Sequence, residues 1–293
     1  MAFRAASVQF RPDMGRIANN LDRMAEIVKQ VVEDEGADLV VFPETAVSGY
    51  YVQGGANENA LSSDEVRCEL GRRLEALKKP VDVLVGFYEK SSGQPYNSGG
   101  YFSFASGRSK TVGVYRKFFL PTYTVFDEDR YVARGTELGV FDTRLGRIGV
   151  LICEDVWHSI LGTLLALQGA QVVCALISSP ARGFQGDAPS NVDRYERMLR
   201  AISEEHGVYT MSAMLTGFEG GKGLAGGSVI YDPYGERLAK GDILDEHAVV
   251  AEIDLDMIEL ARAKAPLLAD LEGSWEALLK IAKARKRKRP RDV

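Results

Sequence analysis

Residues 147–159 read RIGVLICEDVWHS, and they join an apolar run to a polar, turn-prone segment. The run at 147–152 is typical of a buried strand, and a helical-looking segment at 160–168 follows. Cys153 therefore stands at a strand end, just before a helix N-terminus, where backbone N–H groups can stabilise a thiolate or an oxyanion. Most free cysteines are buried small hydrophobes, so position alone makes Cys153 only a candidate nucleophile.

The rest of the chain alternates between apolar, β-branched runs and stretches of helical periodicity, which is typical of a layered α/β protein. We predict strands at residues 3–10, 38–42, 81–89, 101–105, 110–116, 147–152, 171–177, 208–215, 227–232 and 248–253. We predict helices at residues 17–33, 64–79, 160–168 and 192–205. Two sheets with helices outside them, a four-layer αββα sandwich, would bury all of these elements. The pattern alone leaves a three-layer α/β sheet open.

The composition is that of an ordinary soluble globular protein, with 45% hydrophobic and 26% charged residues among 293. No apolar run approaches the ~20 residues that a membrane span needs, and the N-terminus shows no secretion signal. Cys68, Cys153 and Cys174 cannot all pair and form no C-x-x-C, which indicates a reducing compartment without a zinc site. We therefore expect a cytoplasmic protein without a membrane partner.

The charge is unevenly placed along the chain. Residues 283–293 hold seven of the 36 basic residues and one of the 41 acidic residues, which leaves 29 basic and 40 acidic residues in the body. We expect one domain over residues 1–282 and a solvated, disordered basic tail over 283–293, because blocks of like charge repel and rarely pack. The tail does not by itself indicate nucleic-acid binding.

Two further predicted strands end in charged residues. Glu44 follows the apolar run at 39–42, and Lys117 follows the run at 112–115. Either residue alone could mark only the point where a strand reaches solvent. Together with Cys153 they suggest a shared site, because a carboxylate can take and return the thiol proton, while a lysine ammonium favours the thiolate and stabilises a tetrahedral intermediate.

Three motifs make the resemblance to a known family specific. Phe42-Pro43-Glu44, Tyr115-Arg116-Lys117 with Leu120-Pro121 close behind, and Leu151-Ile152-Cys153-Glu154-Asp155 resemble, in chain order, the Glu, Lys and Cys motifs of the nitrilase superfamily of C–N hydrolases. The similarity extends from residues 6–10 to residues 226–235, about four fifths of the chain. The resemblance implies an αββα sandwich, a metal-free hydrolase and a homodimer or higher homo-oligomer.

The resemblance also implies the roles of particular residues. Glu44 would be the general base, Lys117 the electrophilic stabiliser and Cys153 the nucleophile. Glu128 matches a second glutamate of the family and would position Lys117 or the substrate. The backbone N–H of Glu154 would be the second oxyanion donor, as expected for the residue after a nucleophile at a turn.

Other residues are weaker candidates for substrate contact. Tyr50 and Trp157 could line an acyl pocket, and Ser179 follows a strand that should approach the same cleft. Arg182 and Arg194 could bind a substrate carboxylate or simply lie at the surface. The polar loops at 53–63, 91–97 and 181–191 could line or cover the site.

No cofactor is expected. The three histidines lack metal-like spacing, and the chain has no Walker pattern. The segment at 98–103 imitates a pyrophosphate-binding loop, but Phe102 stands where such loops need an aspartate.

We predict a cysteine-dependent amidase that hydrolyses a small carboxamide to an acid and ammonia through a thioester. The segment Cys153-Glu154-Asp155-Val156-Trp157 resembles the glutaminase domain of glutamine-dependent NAD synthetases, so a glutaminase subunit that supplies ammonia to a separate synthetase is an alternative. A nitrile or N-carbamoyl hydrolase, or a binding protein that docks through its basic tail, is a further alternative.

Overall fold

The structure, a computed structural model, describes residues 1–52, 55–185 and 188–284. Its strands are β1 (Ala2–Gln9), β2 (Leu39–Val41), β3 (Val81–Ser91), β4 (Gln94–Ala105), β5 (Arg108–Arg116), β6 (Gly139–Thr143), β7 (Gly146–Ile152), β8 (Val172–Ile177), β9 (Phe184–Gln185), β10 (Ala188–Pro189), β11 (Tyr209–Met214), β12 (Gly217–Glu219), β13 (Lys222–Leu224), β14 (Val229–Tyr231), β15 (Arg237–Lys240) and β16 (His247–Asp254). Its α-helices are α1 (Ile17–Glu35), α2 (Ser63–Arg73), α3 (Ser159–Leu167), α4 (Ser190–His206), α5 (Asp256–Lys264) and α6 (Leu267–Ala284).

Two six-stranded sheets form the centre of the molecule. The first has the order β16-β1-β2-β3-β4-β5, and the second has the order β15-β14-β11-β8-β7-β6. Strands β1, β2 and β3 are parallel, and so are β7, β8 and β11, while the outer strands are antiparallel. Because β5 returns parallel to β3, the chain leaves β2 and β5 at the same edge of the first sheet. It leaves β7 and β8 together at one edge of the second sheet.

Two apolar interfaces hold the layers together. Between the sheets, side chains such as Leu84 and Tyr101 of the first sheet pack against Val150 and Leu176 of the second. Outside the first sheet, the apolar stripe of α1 and the buried face of α2 cover β1 to β4. On the far side, α3 and α4 cover the second sheet, and α6 packs against both helices. The order helix, sheet, sheet, helix is the αββα sandwich, so the predicted fold is confirmed.

Some predicted elements differ from the observed ones. The predicted helix at 64–79 ends at Arg73, because the chain turns at Leu74 and Leu77, which are buried, and must be extended before Pro80. Strands β6 and β15, the short hairpins, α5 and α6 were not predicted, since β6 and β15 are short, partly polar edge strands and the two helices present mostly exposed faces.

Helix α6 extends into the segment predicted to be a basic tail. Helix α6 continues to Ala284, so the first two residues of the predicted tail are helical, and residues 285–293 lie outside the described part of the chain. Residues 53, 54, 186 and 187, in two of the loops expected to line the site, also lie outside it. None of the described helices is long and apolar enough to cross a membrane.

Candidate active site

Glu44 lies in a tight loop directly after β2. The loop rests on Gly86 of β3, where an added Cβ would stand 2.2 Å from the carbonyl oxygen of Pro43 and 2.6 Å from the Cα of Glu44. Only a glycine permits so close an approach of two backbones. The Glu44 side chain is fully buried and accepts hydrogen bonds from Asn97 Nδ2 at 2.8 Å and from the backbone N–H of Ser178 at 2.8 Å.

Lys117 follows β5 and lies between two carboxylates. Its Nζ donates to Glu44 Oε1 at 2.7 Å and to Glu128 Oε1 at 2.9 Å, and its side chain is fully buried. Tyr50 donates a hydrogen bond from its hydroxyl to the same Glu128 oxygen, and Asn97 lies 3.4 Å from that oxygen. The ammonium is therefore held at a fixed point, which is what an electrostatic stabiliser requires.

Cys153 lies at the sharp turn between β7 and a 3-10 helix at Cys153–Trp157. Its φ of 47° is in the left-handed region, which is costly for a non-glycine residue and is often found at functional sites. The sulfur lies 3.5 Å from the carbonyl oxygen of Ser178 and 3.2 Å from the hydroxyl of Tyr195. Ser178, directly after β8, thus contacts Cys153 through its carbonyl and Glu44 through its N–H.

Burial dominates the electrostatics of this cluster. Burial raises the pKa of Glu44 to about 7, although the charge of Lys117 opposes the increase. Burial alone would lower the pKa of Lys117, but the carboxylates of Glu128 and Glu44 raise it well above its usual value. Burial and the Glu44 carboxylate raise the pKa of the Cys153 thiol, and together they outweigh Lys117. Lys117 thus favours the thiolate of Cys153, but burial and Glu44 favour the neutral thiol more strongly.

Asp155 connects the turn of Cys153 to the segment after Lys117. Its buried carboxylate accepts hydrogen bonds from the backbone N–H groups of Phe118, Phe119 and Ile152, at 3.2, 2.8 and 3.1 Å, and from the hydroxyl of Tyr115 at 2.8 Å. Burial raises the pKa of the carboxyl to about 6, although these donors favour the charged form. One side chain thus fixes two strand ends of different sheets relative to each other.

We expect Asp155→Asn to lower the free energy of unfolding by about 2 kcal/mol, because an amide NH2 would face backbone N–H groups that have lost their acceptor. Urea denaturation measures the change. Asp142→Asn is the matched control, since the Asp142 side chain is 85% exposed and should change stability by less than about 0.5 kcal/mol. Equal stability of the two variants would show that Asp155 does not hold the two segments together.

The four residues predicted to contact the substrate have different surroundings in the structure. Tyr50 lies inside the cluster against Glu128. Glu154 lies beside it, and its Oε2 accepts from the hydroxyl of the exposed Tyr123 at 2.6 Å. Trp157 packs edge-to-face on Tyr195, with ring centroids 5.5 Å apart. The hydroxyl of Ser179 accepts from Asn191 at 2.6 Å, so the direct contacts with Glu44 and Cys153 come from the preceding residue instead.

The two arginines have aromatic partners. The guanidinium of Arg182 lies 5.0 Å from the ring centre of Phe126, and the exposed Arg194 lies 3.8 Å from that of Trp157. Each arginine therefore has an aromatic partner to stack on.

The sequence reasoning did not find Asn97, Ser178 or Tyr195. Asn97 is an amide inside the largely buried strand β4, which is a weak signal that a buried polar partner exists. Ser178 acts through its backbone, and a sequence carries no signal for that. Tyr195 lies on the inner face of an amphipathic helix, where aromatic residues are usually core.

A small cavity lies beside Glu128, and a larger one lies away from the clustered residues. A cavity of about 110 Å³ adjoins Glu128 and is lined in part by Tyr50, Tyr88 and Phe126. A larger cavity of about 500 Å³ lies between α1 and β16, and none of the clustered residues lines it. Among the described residues, no group of three or more His, Cys, Asp or Glu side chains could hold a metal ion.

Comparisons with known proteins show which family the chain resembles over most of its length. The family model described as carbon-nitrogen hydrolase matches residues 4–263. A glutamine-dependent NAD(+) synthetase of Acinetobacter baylyi is 27% identical over 282 residues, which are 95% of this chain and 49% of the synthetase. A probable nitrilase of Schizosaccharomyces pombe is 27% identical over 87% of this chain and 90% of its own length.

Solved structures show the same fold. The crystal structure of a carbon-nitrogen hydrolase from Helicobacter pylori G27 superposes with a TM-score of 0.83, at 23% identity, over 95% of this chain and 99% of that one. The chain spans about half the length of the first curated relatives it matches. Together with the family model and the curated relatives, the structural match confirms the resemblance to the nitrilase superfamily.

Proposed function

This chain belongs to the carbon-nitrogen hydrolase family, and on that premise we propose that it is a cysteine-dependent amidase with Glu44, Lys117 and Cys153 as its catalytic residues. The observation that supports the proposal best is the buried cluster itself. The carboxylate of Glu44 and the sulfur of Cys153 both contact Ser178. The ammonium of Lys117 lies against that carboxylate. This set supplies a nucleophile, a base and an oxyanion partner without histidine.

The first half-reaction forms a thioester. The Cys153 sulfur attacks the amide carbonyl while its proton passes to Glu44, so that no free thiolate has to accumulate in the buried site. Lys117 and the backbone N–H of Glu154 stabilise the oxyanion. Glu44 then gives the proton to the departing nitrogen, ammonia leaves, and the acyl group remains on sulfur.

The second half-reaction releases the acid. Glu44, again a carboxylate, takes a proton from water as the water attacks the thioester. The tetrahedral intermediate expels the Cys153 sulfur, which regains its proton from Glu44. Glu128, Tyr50 and Asn97 hold the lysine and the base in place throughout.

A specific observation favours glutamine as one substrate. The Glu154 carboxylate stands one residue after the nucleophile and is oriented by the Tyr123 hydroxyl, so it can bind a cationic group on the substrate. Glutamine carries an ammonium group and a terminal carboxamide, and the NAD(+) synthetase relatives are described as glutamine-dependent. Our second candidate function is therefore a glutaminase that supplies ammonia to a separate synthetase.

Ammonia release from a panel of compounds tests the proposal. The panel contains glutamine, asparagine, small aliphatic and aromatic amides, N-carbamoyl amino acids and nitriles. We expect release from amides, and a preference for glutamine over its N-acetyl derivative if Glu154 binds the ammonium. Activity on nitriles or N-carbamoyl amino acids alone would contradict the assignment as an amidase, and no release from the folded protein until a synthetase is added would favour the second candidate.

The pH profile gives a further prediction. Because burial raises the pKa of Glu44 to about 7 and its carboxylate form is the base, kcat/KM should increase with pH up to about 7 and level off above it. The rate rises with pH because the protonated form of Glu44, which predominates below pH 7, cannot accept the thiol proton. Initial rates between pH 5 and 9 measure the profile, and a rate that falls between pH 6 and 7.5 would contradict this role for Glu44.

A further inference from the structure

Tyr195 of α4 is a polar neighbour of Cys153 that the mechanism above does not use. Its hydroxyl oxygen lies 3.2 Å from the sulfur, and the residue is 3% exposed. Within the part of the chain that the structure describes, the other polar contact of the sulfur is the carbonyl oxygen of Ser178, at 3.5 Å. A carbonyl can only accept a hydrogen bond, so it takes the single thiol proton. The hydroxyl of Tyr195 is then left as the donor to sulfur.

The tyrosine ring is fixed by the same turn that carries the nucleophile. Trp157, at the end of the 3-10 helix that Cys153 begins, packs edge-to-face on the Tyr195 ring with an interplanar angle of 77°. Arg194, the preceding residue on α4, lies over the Trp157 ring. The hydroxyl is therefore directed at the sulfur before any substrate arrives, and little reorganisation is needed during the reaction.

We propose that Tyr195 is a catalytic residue whose hydroxyl donates a hydrogen bond to the sulfur of Cys153 whenever the sulfur carries negative charge. The inference rests on the proposed role of Cys153 as the nucleophile. Charge develops on sulfur twice, when the thiol proton passes to Glu44 during attack, and when the C–S bond breaks during thioester hydrolysis. In both steps Tyr195 keeps its own proton and stabilises the anion.

The surroundings make this hydrogen bond important. The sulfur lies in a buried site beside the Glu44 carboxylate, and both conditions oppose an anion there. The charged and titratable groups that interact electrostatically with the sulfur include Glu44, Lys117, Glu128, Tyr50, Tyr51, Tyr123 and Tyr195. Removing one oxygen atom from Tyr195 changes none of the other six, so the effect of the hydroxyl can be isolated.

Alkylation of Cys153 by iodoacetamide as a function of pH tests the proposal on the full chain. The rate follows the thiolate fraction, and the adduct is measured on the peptide that contains Cys153, which separates it from Cys68 and Cys174. In Tyr195→Phe the rate curve should move by about one unit toward high pH, and the rate at pH 7 should fall about tenfold, because a hydrogen bond to a charged group is lost. Tyr209→Phe is the matched control, since it removes a tyrosine hydroxyl that bonds the backbone of Asp254 instead.

The two proposals can fail separately, because alkylation needs no turnover. An unmoved curve in Tyr195→Phe, or one moved toward low pH, would overturn the inference, since the hydroxyl would then fill space or accept the thiol proton. If the curve moves as expected but the wild type hydrolyses no amide, the hydrogen bond is supported and the amidase proposal is the one that fails. Where turnover is measurable, kcat of Tyr195→Phe should fall with KM nearly unchanged, whereas a merely structural role would also lower thermal stability.

Discussion

Replacing Cys153 by alanine is expected to lower ammonia release from amides by at least about 10⁴-fold, because the nucleophile that forms the acyl-enzyme is lost. The buried site offers no second thiol, since Cys174 lies within β8 and Cys68 is exposed on α2. The oxyanion donors would remain, so a small residual rate above the uncatalysed one is expected. Ammonia release from the best amide of the panel, at saturating concentration, measures the loss.

Cys68→Ser is the matched control, because it removes a thiol from the surface and should leave the rate unchanged. Circular dichroism of Cys153→Ala should match that of the wild type, since a small side chain replaces another at a site bounded by polar groups. Amide hydrolysis by a folded Cys153→Ala at more than about one tenth of the wild-type rate would mean that the sulfur is not the nucleophile.

Lys117→Met is expected to reduce both activity and stability. The loss of an oxyanion partner alone costs about 10²–10³-fold in kcat. The charge of Lys117 also lowers the pKa of Glu44, so its removal moves that pKa further above 7 and protonates the base. Breaking a buried ion pair costs about 3–5 kcal/mol, because Glu44 and Glu128 are left buried without a cation.

The stability loss of Lys117→Met should depend on pH in a defined direction. In the wild type the pKa of Glu44, raised from 4.5 to about 7, already makes stability fall as pH rises through that range. In Lys117→Met this pKa is higher still, so the fall continues above pH 7, where the stability of the wild type no longer changes through Glu44. Urea denaturation at pH 5 and pH 8 should therefore show a larger deficit at pH 8. Lys240→Met, which removes a surface lysine paired with Glu196, should cost less than about 1 kcal/mol at either pH. A Lys117→Met protein as stable as the wild type at pH 8 would contradict the buried-pair account.

The strand ends could be predicted from the sequence because a buried strand appears as a continuous run of apolar residues. Each of Glu44, Lys117 and Cys153 follows an apolar run, and parallel strands deliver their carboxyl ends to the same edge. The choice between three and four layers was not fixed by local pattern. It depends on pairings such as that of β16 with β1, which joins residues about 245 positions apart.

The supporting residues could not be predicted in the same way. The position of Tyr195 depends on how α4 packs on the second sheet, and helical periodicity shows which face is apolar but not which side chain meets a sulfur. Asp155 could equally have capped the next helix, and only the packing of the two sheets brings its carboxylate to the segment after Lys117. The pKa of the Cys153 thiol also depends on burial in three dimensions, which the local sequence pattern does not reveal.

The most direct test of the central claim is the partition of the acyl group between water and hydroxylamine. The best amide of the panel is compared with the anilide and the ester of the same carboxylic acid. Each compound is hydrolysed with hydroxylamine present, and the acid and hydroxamate are quantified. A thioester on Cys153 is a common intermediate that has already lost the leaving group, so we predict the same ratio of acid to hydroxamate for every leaving group. A ratio that changes with the leaving group would mean that water attacks the substrate directly, and the thioester mechanism would be wrong.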